Sequence, residues 1–405
     1  MSEHHITRLG YQGDGIADGP VFAPLTLPGE TVSGILNGTR LSDVRIITPS
    51  AARVAPPCRH FKSCGGCQLQ HASDAFLAEW KGDVVRTALA AHGLNATFAP
   101  IAVSPPNSRR RATLSVRRTK KGAMAGFHAR ASDVIVEIPG CTLLHPDLMA
   151  AIPACEALAL AGSSRKGELS VALAHSRAGV DVNVTGGKPL DGPLRIALAQ
   201  LAEAHDLARL SWEGETIATR QPPVQRFGTV DVVPPPGAFL QATADGEQAL
   251  LDDVMAACAG AGRVVDLFAG CGTFALPLAA QSQVHAVEGD AAMMQALDAG
   301  CRKVEGLKTV TTEARDLFRR PLLPDELARF DAAVIDPPRA GAEAQIAELI
   351  RADVPVIAYV SCAPVTFARD AAALVAAGYV LRQVRVVDQF RWSSHVELVA
   401  DFRKS

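Results

Sequence analysis

The chain has 405 residues, which is too long for one ordinary domain and predicts two or three domains. Its hydrophobic content of 48% and charged content of 20% exclude a disordered chain. The formal net charge of −2, taken alone, argues against a protein that binds a polyanion. The charge is unevenly distributed, however, because residues 51–130 contain thirteen Lys and Arg against three acids. We therefore expect one strongly basic region in an otherwise acidic chain.

The first residues and the cysteines indicate a cellular compartment. MSEHHITRLG lacks the apolar core of a signal peptide, and no uncharged apolar run approaches the roughly 18 residues that span a bilayer. We therefore expect a cytoplasmic protein. In a reducing compartment its nine cysteines are not expected to form disulfides, so clustered cysteines indicate a metal site and isolated ones core or catalytic positions.

The N-terminal part of the chain has the pattern of β-structure with one helix. Residues 4–53 contain short alternating stretches separated by glycine-rich turns, which is typical of a small antiparallel barrel. Apolar residues at helical spacing predict one amphipathic helix over residues 75–93. Alternation typical of strands returns over residues 98–233, with a helical insertion at about 146–162.

After the linker VVPPPGA the pattern changes to strands that alternate with alanine-rich helices. This alternation predicts an α/β domain with a doubly wound, mostly parallel, Rossmann-like sheet, whose ligands bind at the carboxyl ends of the strands. We predict a barrel, a central β-rich domain and an α/β domain, with a helix at 75–93 that packs on the α/β domain. Their predicted ranges are 1–55, 56–235 and 236–405.

Acids and glycines at the ends of predicted strands indicate a cofactor site. In VVDLFAGCGT a strand ends in a turn where Gly270 and Gly272 allow close approach of the backbone to a ligand. Glu288 ends the next strand, where a carboxylate can bind both ribose hydroxyls, and Asp316 and Asp336 end two further strands. Three carboxylates disfavour a phosphate-bearing cofactor, so the pattern favours S-adenosylmethionine, which carries a cationic centre. The alternative for each single acid is a helix cap or a surface residue.

Cys362 is a candidate nucleophile because it directly follows the apolar strand PVIAYVS, at the end that faces the cofactor. A helix N-terminus at this place would lower the pKa of the thiol and favour the reactive thiolate. Packing in the core is the alternative for a cysteine judged by its position alone.

Five motifs make the chain resemble the uracil-5 RNA methyltransferases over essentially its whole length. These motifs are Phe-Leu-Gln241, Asp-Leu-Phe268-Ala-Gly-Cys-Gly-Thr, Asp336-Pro-Pro-Arg-Ala-Gly, Ser-Cys362-Ala-Pro-Val-Thr-Phe-Ala-Arg-Asp and His395-Val-Glu397. The resemblance implies that Cys362 adds to C6 of the target uracil and that Glu397 removes the C5 proton. It also implies cofactor contacts from Gln241, Phe268, Glu288, Asp316 and Asp336.

The chemistry of uracil needs both reactive groups. C5 is a poor nucleophile, so a covalent adduct at C6 divides one difficult step into easier ones. After methyl transfer a proton must leave C5, which requires a base. Without the resemblance, Glu397 in the apolar strand HVELVADF would be interpreted as a surface acid on an edge strand. The chain departs from the family pattern at Ala363 and Thr243, where relatives usually have Asn.

Three closely spaced cysteines, Cys58, Cys64 and Cys67, indicate a metal site, with Cys141 in EIPGCTLL as the fourth ligand. Four thiolates can hold zinc or a [4Fe–4S] cluster, and this spacing is not typical of a zinc ribbon. Free thiols are the alternative from spacing alone. The family resemblance selects the iron–sulfur cluster, because many members have Cys-x5-Cys-Gly-Gly-Cys and a distant fourth Cys. Since methyl transfer exchanges no net electrons, we expect the cluster to have a structural or RNA-positioning role.

Basic segments indicate an RNA surface. Residues 109–111 and 117–121 flank the strand ATLSV, and guanidinium groups suit phosphate oxygens, although a solvated strand pair is the alternative. The N-terminal region resembles the TRAM domain, an OB-like RNA-binding barrel, through GYQGDGIA and LPGETVSG. Phe127, Phe239 and Trp392 are candidate stacking partners for bases, with core packing as the alternative.

We therefore expect an S-adenosylmethionine-dependent RNA methyltransferase that forms 5-methyluridine and acts as a monomer, without a membrane or DNA partner. The resemblance favours 23S rRNA, because cluster-bearing members with the barrel are mostly ribosomal enzymes. A tRNA uracil-5 methyltransferase is the first alternative, and a cytosine-5 methyltransferase would use a similar thiol adduct. A non-catalytic RNA-binding or chaperone module is the alternative of another class, and the intact pair Cys362 and Glu397 argues against it.

Overall fold

The computed structural model describes residues 2–405, and five N-terminal strands close into a small barrel in the order β1-β2-β3-β5-β4. The barrel strands are β1 (Ser2–Leu9), β2 (Gly15–Ala17), β3 (Val21–Ala23), β4 (Thr31–Asn37) and β5 (Arg40–Thr48). Alternating apolar side chains such as Ile6, Val32 and Leu41 fill its interior. This confirms the small barrel predicted from the alternation and the glycine-rich turns.

A seven-stranded central sheet follows, in the order β13-β12-β11-β10-β7-β8-β9. Its strands are β7 (Arg111–Arg118), β8 (Ala123–His128), β9 (Ile135–Glu137), β10 (Glu168–Ser176), β11 (Gly179–Thr185), β12 (Arg209–Trp212) and β13 (Glu215–Thr219). The helices beside it are α2 (Pro146–Ala150), α3 (Ile152–Gly162) and α4 (Gly192–Ala204).

Helix α4 was not predicted from the sequence. Its start has two recognisable signals, because the Asp191 side chain accepts a hydrogen bond from the backbone N–H of Leu194 at 2.8 Å and Pro193 stands in the first turn. Its buried side chains, Leu194, Leu198 and Ala202, recur every four residues. The signals were missed because the segments on both sides of the helix have the alternating pattern of strands.

An eight-stranded large sheet forms the C-terminal part, in the order β18-β17-β16-β19-β20-β22-β21-β6. Its strands are β6 (Ala102–Val103), β16 (Arg263–Leu267), β17 (Gln283–Glu288), β18 (Val310–Ala314), β19 (Ala332–Ile335), β20 (Val356–Ser361), β21 (Tyr379–Asp388) and β22 (Glu397–Lys404). Strands β16 to β20 are parallel, whereas β22 runs antiparallel to both neighbours. Apolar cores cover both faces, which confirms the doubly wound, mostly parallel sheet.

The helices of this part are α1 (Asp74–Ala90), α5 (Ala244–Ala257), α6 (Ala275–Leu278), α7 (Ala291–Cys301), α8 (Pro324–Leu327), α9 (Glu343–Ala352) and α10 (Pro364–Ala376). Helix α1 packs on the large sheet, where Val85 and Leu89 lie in the same apolar core as strand residues. Strand β6 extends this sheet beside β21. Residues 74–103 therefore lie with the α/β unit, although the predicted boundaries place them in the central range.

A short hairpin of β14 (Gln225–Phe227) and β15 (Val230–Val232) also packs with the large sheet, against α7. A buried ion pair between Arg110 beside β7 and Glu247 of α5 joins the central part to the α/β unit. A second, between Lys81 of α1 and Asp388 at the end of β21, holds α1 on the large sheet. No helix within residues 2–405 is both long and apolar enough to cross a membrane. Asp336, which follows β19, accepts a hydrogen bond from Gln241, and the Gln241 carbonyl accepts one from Arg110 beside β7. The carboxyl ends of the parallel strands therefore face the central sheet.

Candidate active site

A glycine-containing turn after β16 forms the floor of the site. Phe268, Gly270 and Gly272 all have positive φ angles, of 63°, 56° and 96°. A Cβ at Gly272 would lie 2.8 Å from the Leu276 side chain, so a larger residue would disturb the turn. The backbone N–H of Gly270 donates to Glu288 Oε2 at 3.1 Å. The sequence prediction that strand-end acids and this turn come together therefore agrees with the geometry.

Three carboxyl groups converge beneath this turn. Asp266 is fully buried, and within residues 2–405 its carboxylate oxygens have no close hydrogen-bond partner, although the backbone N–H of Ala275 lies near enough to lower its pKa slightly. Burial, and then the neighbouring Asp336, raises the pKa of Asp266 well above its usual value. Burial also raises the pKa of Asp336 to about 7, and the charge of Glu288 contributes to the increase. A site of this kind favours a cationic ligand over an anionic one.

The predicted residues Phe268 and Asp316 lie at the outer side of this site. The Phe268 ring packs against Phe318, with ring centroids 5.4 Å apart. Asp316 is exposed, and its carboxylate accepts hydrogen bonds from the backbone N–H groups of Phe318 at 3.0 Å and Arg319 at 3.3 Å. Phe318, which is half-exposed beside Phe268, was missed by sequence reasoning because an aromatic residue in a loop carries no distinctive pattern.

A chain of hydrogen bonds connects the cofactor side of the site to Glu397. Gln241 Nε2 donates to Asp336 Oδ2 at 3.1 Å, and Gln241 Oε1 accepts from Gln389 Nε2 at 2.6 Å. Gln389 Nε2 also donates to Glu397 Oε2 at 2.9 Å. Sequence reasoning identified three of these residues and missed Gln389, which follows β21 directly.

Glu397 begins β22, which lies between β20 and β21 in the interior of the large sheet. Its side chain is buried, so the interpretation as a surface acid on an edge strand is wrong. Burial, and then the charge of Asp336, raises the pKa of Glu397 well above its usual value. A carboxylate of this kind has the basicity that proton removal from carbon requires.

Cys362 lies opposite Glu397, because the register of β20 and β22 pairs Ser361 with Leu398. The thiol is half-buried, and its surroundings differ from the sequence prediction. Instead of a pKa lowered by the start of α10, burial and then the charges of Glu397 and Asp336 raise the pKa of Cys362 to about 11. The nearby Arg339 acts in the opposite direction. The thiol is therefore neutral until its surroundings change.

The two departures from the family pattern lie at helix starts. Thr243 caps α5, because its hydroxyl accepts from the backbone N–H of Gly246 at 3.0 Å. Asn and Thr both serve as N-caps, which explains why the exchange is tolerated. Ala363 occupies the N-cap position of α10 and has no side chain that could cap it, so that helix start lacks one hydrogen bond.

A cavity of about 380 Å³ lies along the central sheet. Cys362 and Glu397 do not line it, but His395, two residues before Glu397, does. Its lining includes Arg109, Arg111, Phe127 and His395. Four buried polar atoms of lining residues have no hydrogen-bond partner within residues 2–405, and these are Gln68 Oε1, Arg111 Nε, Asn183 Oδ1 and Arg391 Nε. Buried polar groups are normally satisfied, so the cavity is suited to a polar ligand.

The three predicted arginines of residues 109–111 have different surroundings. Arg110 is buried, pairs with Glu247 and donates from Nε to the Gln241 carbonyl at 3.0 Å, so it does not form part of an RNA surface. Arg111 instead lines the cavity and its guanidinium lies 4.5 Å from the centre of the exposed Phe239 ring. Alternation along β7 explains this separation, because neighbouring side chains point to opposite faces.

The four predicted metal ligands, Cys58, Cys64, Cys67 and Cys141, line one small cavity. Within residues 2–405, no three of their sulfurs all lie within 4.8 Å of one another. A single zinc ion with bonds of about 2.3 Å would bring its sulfurs to about 3.8 Å from each other. Burial raises the pKa of Cys67 to about 12, so a thiolate at this place requires a bound cation.

Residues next to these cysteines hold loop 389–396 of the active site. The backbone N–H groups of Gln68 and Leu69 donate to the carbonyl of Trp392 at 2.9 and 3.0 Å. Trp392 has a positive φ of 60°, and its indole is buried in an apolar core with Phe61. The indole packs in the core, which was the alternative prediction, and it presents no free face on which a base could stack.

Comparisons with known proteins agree with this geometry. The family model described as tRNA (uracil-5-)-methyltransferase matches residues 234–401. An uncharacterized RNA methyltransferase of Caulobacter vibrioides is 44% identical and is covered over 100% of both chains. The 23S rRNA (uracil(1939)-C(5))-methyltransferase RlmD of Halomonas elongata is 35% identical over 97% of this chain and 87% of its own length.

Among solved structures, the fold is similar to that of the tRNA (uracil-54, C5)-methyltransferase of Pyrococcus abyssi in complex with S-adenosyl-L-homocysteine. The two share a TM-score of 0.79 and 22% identity, with 99% of each chain covered. The resemblance identified from the motifs is thus confirmed. This chain belongs to the family of S-adenosylmethionine-dependent uracil-5 RNA methyltransferases.

Proposed function

We propose that this enzyme forms 5-methyluridine in 23S rRNA, with Cys362 as the nucleophile and Glu397 as the base. The observation that carries the mechanism is the position of these two groups. They lie opposite each other where β20 ends and β22 begins, beside the cofactor contacts Gln241 and Asp336. A thiol and a basic carboxylate in one pocket are the two groups that C5 substitution of uracil requires.

In the proposed reaction the Cys362 thiol loses its proton to solvent and the thiolate forms a bond to C6 of uracil. The electrons of the C5–C6 double bond move toward C5 and O4, which makes C5 nucleophilic. S-adenosylmethionine, when bound, supplies the methyl group that C5 accepts. Glu397 then takes the proton from C5, and the electrons of that C–H bond restore the ring double bond as the bond from C6 to Cys362 breaks. Arg339 and Arg111 lie near both reactive groups and offset their negative charge.

We assign the cofactor contacts to the strand-end residues. The buried carboxyls of Asp266 and Asp336 support a cationic sulfonium, and Glu288, held by the backbone of Gly270, suits a ribose diol. Phe268 suits the adenine ring. The remaining proposed contacts, Gln241 and Asp316, border the same space. A bound cation near Asp336 would also reduce the repulsion that raises the pKa of Cys362.

We propose that RNA enters through the cavity beside Arg111. Its unpartnered polar atoms suit a nucleotide, and a uridine must leave any base stack before it can reach Cys362. We divide the chain into three domains over residues 1–55, 56–235 and 236–405, with the segment 74–103 of the second packed on the third, and we assign RNA contacts to the first two. The relative named RlmD, which is 35% identical, supports 23S rRNA as the substrate class.

We further propose a [4Fe–4S] cluster bound by Cys58, Cys64, Cys67 and Cys141. Their convergence supports it, because all four cysteines line one small cavity and four thiolates can hold such a cluster. The hydrogen bonds from Gln68 and Leu69 to the Trp392 carbonyl give the cluster a structural role, since they connect this site to loop 389–396.

The experiment that tests the proposed substrate uses purified enzyme, S-adenosylmethionine with a labelled methyl group, and unmodified 23S rRNA or a tRNA pool. We expect label at C5 of uridine in 23S rRNA, located by mass spectrometry of nuclease fragments, and none with Cys362→Ala. Label in tRNA alone would contradict the ribosomal assignment. Label at cytidine would contradict the proposed chemistry.

A further inference from the structure

We propose that Gln389 is a positioning residue that holds the Glu397 carboxylate for removal of the C5 proton and links it to the cofactor contact Gln241. The inference rests on the proposed function, because it assigns the base role to Glu397. Neither the sequence motifs nor the family comparison assigns Gln389 a role. Three features of its surroundings support the inference.

The first feature is that every hydrogen-bonding atom of the Gln389 side chain is used. Its Oε1 accepts from the backbone N–H of Ala242 at 2.7 Å. Its Nε2 donates to Glu397 Oε2 at 2.9 Å and to Gln241 Oε1 at 2.6 Å. The backbone N–H can only meet an oxygen, so the amide orientation is fixed and both of its N–H groups point into the site.

The second feature is that Gln389 determines the orientation of Gln241 in turn. Because Gln241 Oε1 accepts from Gln389, the Gln241 amide directs its Nε2 toward Asp336, at 3.1 Å. The base and the cofactor-side carboxyl are thus connected through two glutamines. Loss of Gln389 would free both Gln241 and Glu397 to rotate.

The third feature is that the surrounding structure is shaped to hold Gln389. Its side chain is buried, and a Cβ at Gly246 of α5 would lie 2.6 Å from its Cβ, so only glycine leaves room there. The preceding residue, Asp388, pairs with the buried Lys81, and the carbonyl of Phe390 accepts from the same ammonium at 3.1 Å. Gln389 is therefore held between two anchored neighbours.

The hydrogen bond from Gln389 stabilises the charged form of Glu397 and opposes the effect of burial on its pKa. The other charged or titratable groups facing Glu397 are Asp336, Arg111, Arg339 and Cys362. Of these, the arginines also favour the carboxylate, whereas Asp336 opposes it. Removal of the Gln389 amide should raise the pKa of Glu397 further, so the carboxylate forms only at higher pH.

The test compares Gln389→Met with Gln345→Met in the full-length enzyme, using the RNA that the wild type methylates. Gln345 is a matched control, because it is also buried in the α/β unit and makes two hydrogen bonds, with Leu322 N at 2.9 Å and Leu322 O at 3.2 Å. It lies outside the active site. Both substitutions keep the length of the side chain and remove its hydrogen bonds.

We measure the rate of methylation against pH and the amount of covalent RNA–protein adduct on denaturing gels. For Gln389→Met we expect the acidic limb of the profile to move to higher pH, because the hydrogen bond that favours the Glu397 carboxylate is lost. We also expect the methylated adduct to accumulate with ordinary uridine, because attack by Cys362 persists while proton removal slows. For Gln345→Met we expect the wild-type pH profile and no adduct.

A Gln389→Met enzyme with the wild-type profile and no adduct would overturn the inference while leaving the proposed function intact. A wild-type enzyme that neither methylates C5 of uridine nor is trapped by 5-fluorouridine RNA would instead contradict the proposed function. If Gln389→Met does not fold, Gln389→Glu provides the same comparison, since it keeps the acceptor for Ala242. Its added carboxyl should move the acidic limb upward at least as far, and an unchanged limb would again overturn the inference.

Discussion

The substitution Lys81→Met tests how helix α1 is connected to the active site. The Lys81 side chain is fully buried and that of Asp388 is 3% exposed, so neither charge has access to bulk water. Burial lowers the pKa of Lys81, while Asp388 opposes this effect. In Lys81→Met the carboxylate of Asp388 would remain buried without a cation. Gln389 follows it directly, so the disturbance would reach the proposed catalytic base.

The magnitude follows from the burial of both partners. Removing one partner of a buried ion pair costs about 3–5 kcal/mol, because the remaining charge is left without compensation. Replacing both partners by apolar side chains is often close to neutral. We therefore expect Lys81→Met to cost about 3–5 kcal/mol and the double variant Lys81→Met/Asp388→Leu to recover most of that loss.

The assay is urea unfolding of both variants and the wild type, with Arg86→Met as the control. Arg86 lies on the same helix and pairs with Asp83, but both side chains are more than half exposed. Removing an exposed pair of this kind costs about 0–1 kcal/mol. A loss for Lys81→Met no larger than the loss for Arg86→Met would refute the reasoning, as would a double variant less stable than Lys81→Met.

Three further predictions concern single residues of the site. Burial raises the pKa of Asp336 to about 7, whereas the same carboxyl in the unfolded chain loses its proton near pH 4. Between pH 4 and pH 7 only the folded state keeps this proton, so Asp336 lowers the free energy of unfolding as the pH rises. Without cofactor, Asp336→Asn should therefore gain melting temperature relative to the wild type from pH 4 to pH 8, and a constant difference would contradict this. Ala363→Ser should cap α10 and raise the free energy of unfolding by about 1 kcal/mol in urea, whereas an unchanged midpoint would show that the cap is not formed. Arg111→Met should weaken RNA binding and reduce its salt dependence in filter-binding assays more than Arg117→Met, whose side chain already pairs with Glu168, and equal losses would contradict a role for the cavity.

Most of the large sheet could be predicted from the sequence because its parallel strands are short runs, several of which are followed directly by a residue with chemical function. Glu288, Asp336 and Cys362 could be placed at one edge on this basis, since the carboxyl ends of parallel strands meet there. The barrel could also be predicted, from its alternating apolar residues and its glycine-rich turns. Helix α4 was missed although Asp191 marks its start, because the segments before and after the helix both have the alternating pattern of strands.

The remaining features depend on contacts between distant parts of the chain. Gln389 gains its significance from Gln241, which lies 148 positions earlier, and no local pattern reveals such a contact. The raised pKa of Cys362 arises first from burial and then from the carboxyls of Glu397 and Asp336 on neighbouring strands, so the local helix start does not decide it. Arg110 belongs to the basic run by composition, yet its partner Glu247 on α5 places it in the interior.

The central claim is that methylation proceeds through a covalent bond between Cys362 and C6 of uridine. The most direct measurement incubates the enzyme and S-adenosylmethionine with RNA that contains 5-fluorouridine, which has no C5 proton for Glu397 to remove. We predict a covalent complex that survives denaturation, contains one transferred methyl group per trapped uridine and maps by peptide mass spectrometry to Cys362. The complex should be absent with Cys362→Ala. A complex that still forms with this variant, or a wild-type adduct at another residue, would contradict the account.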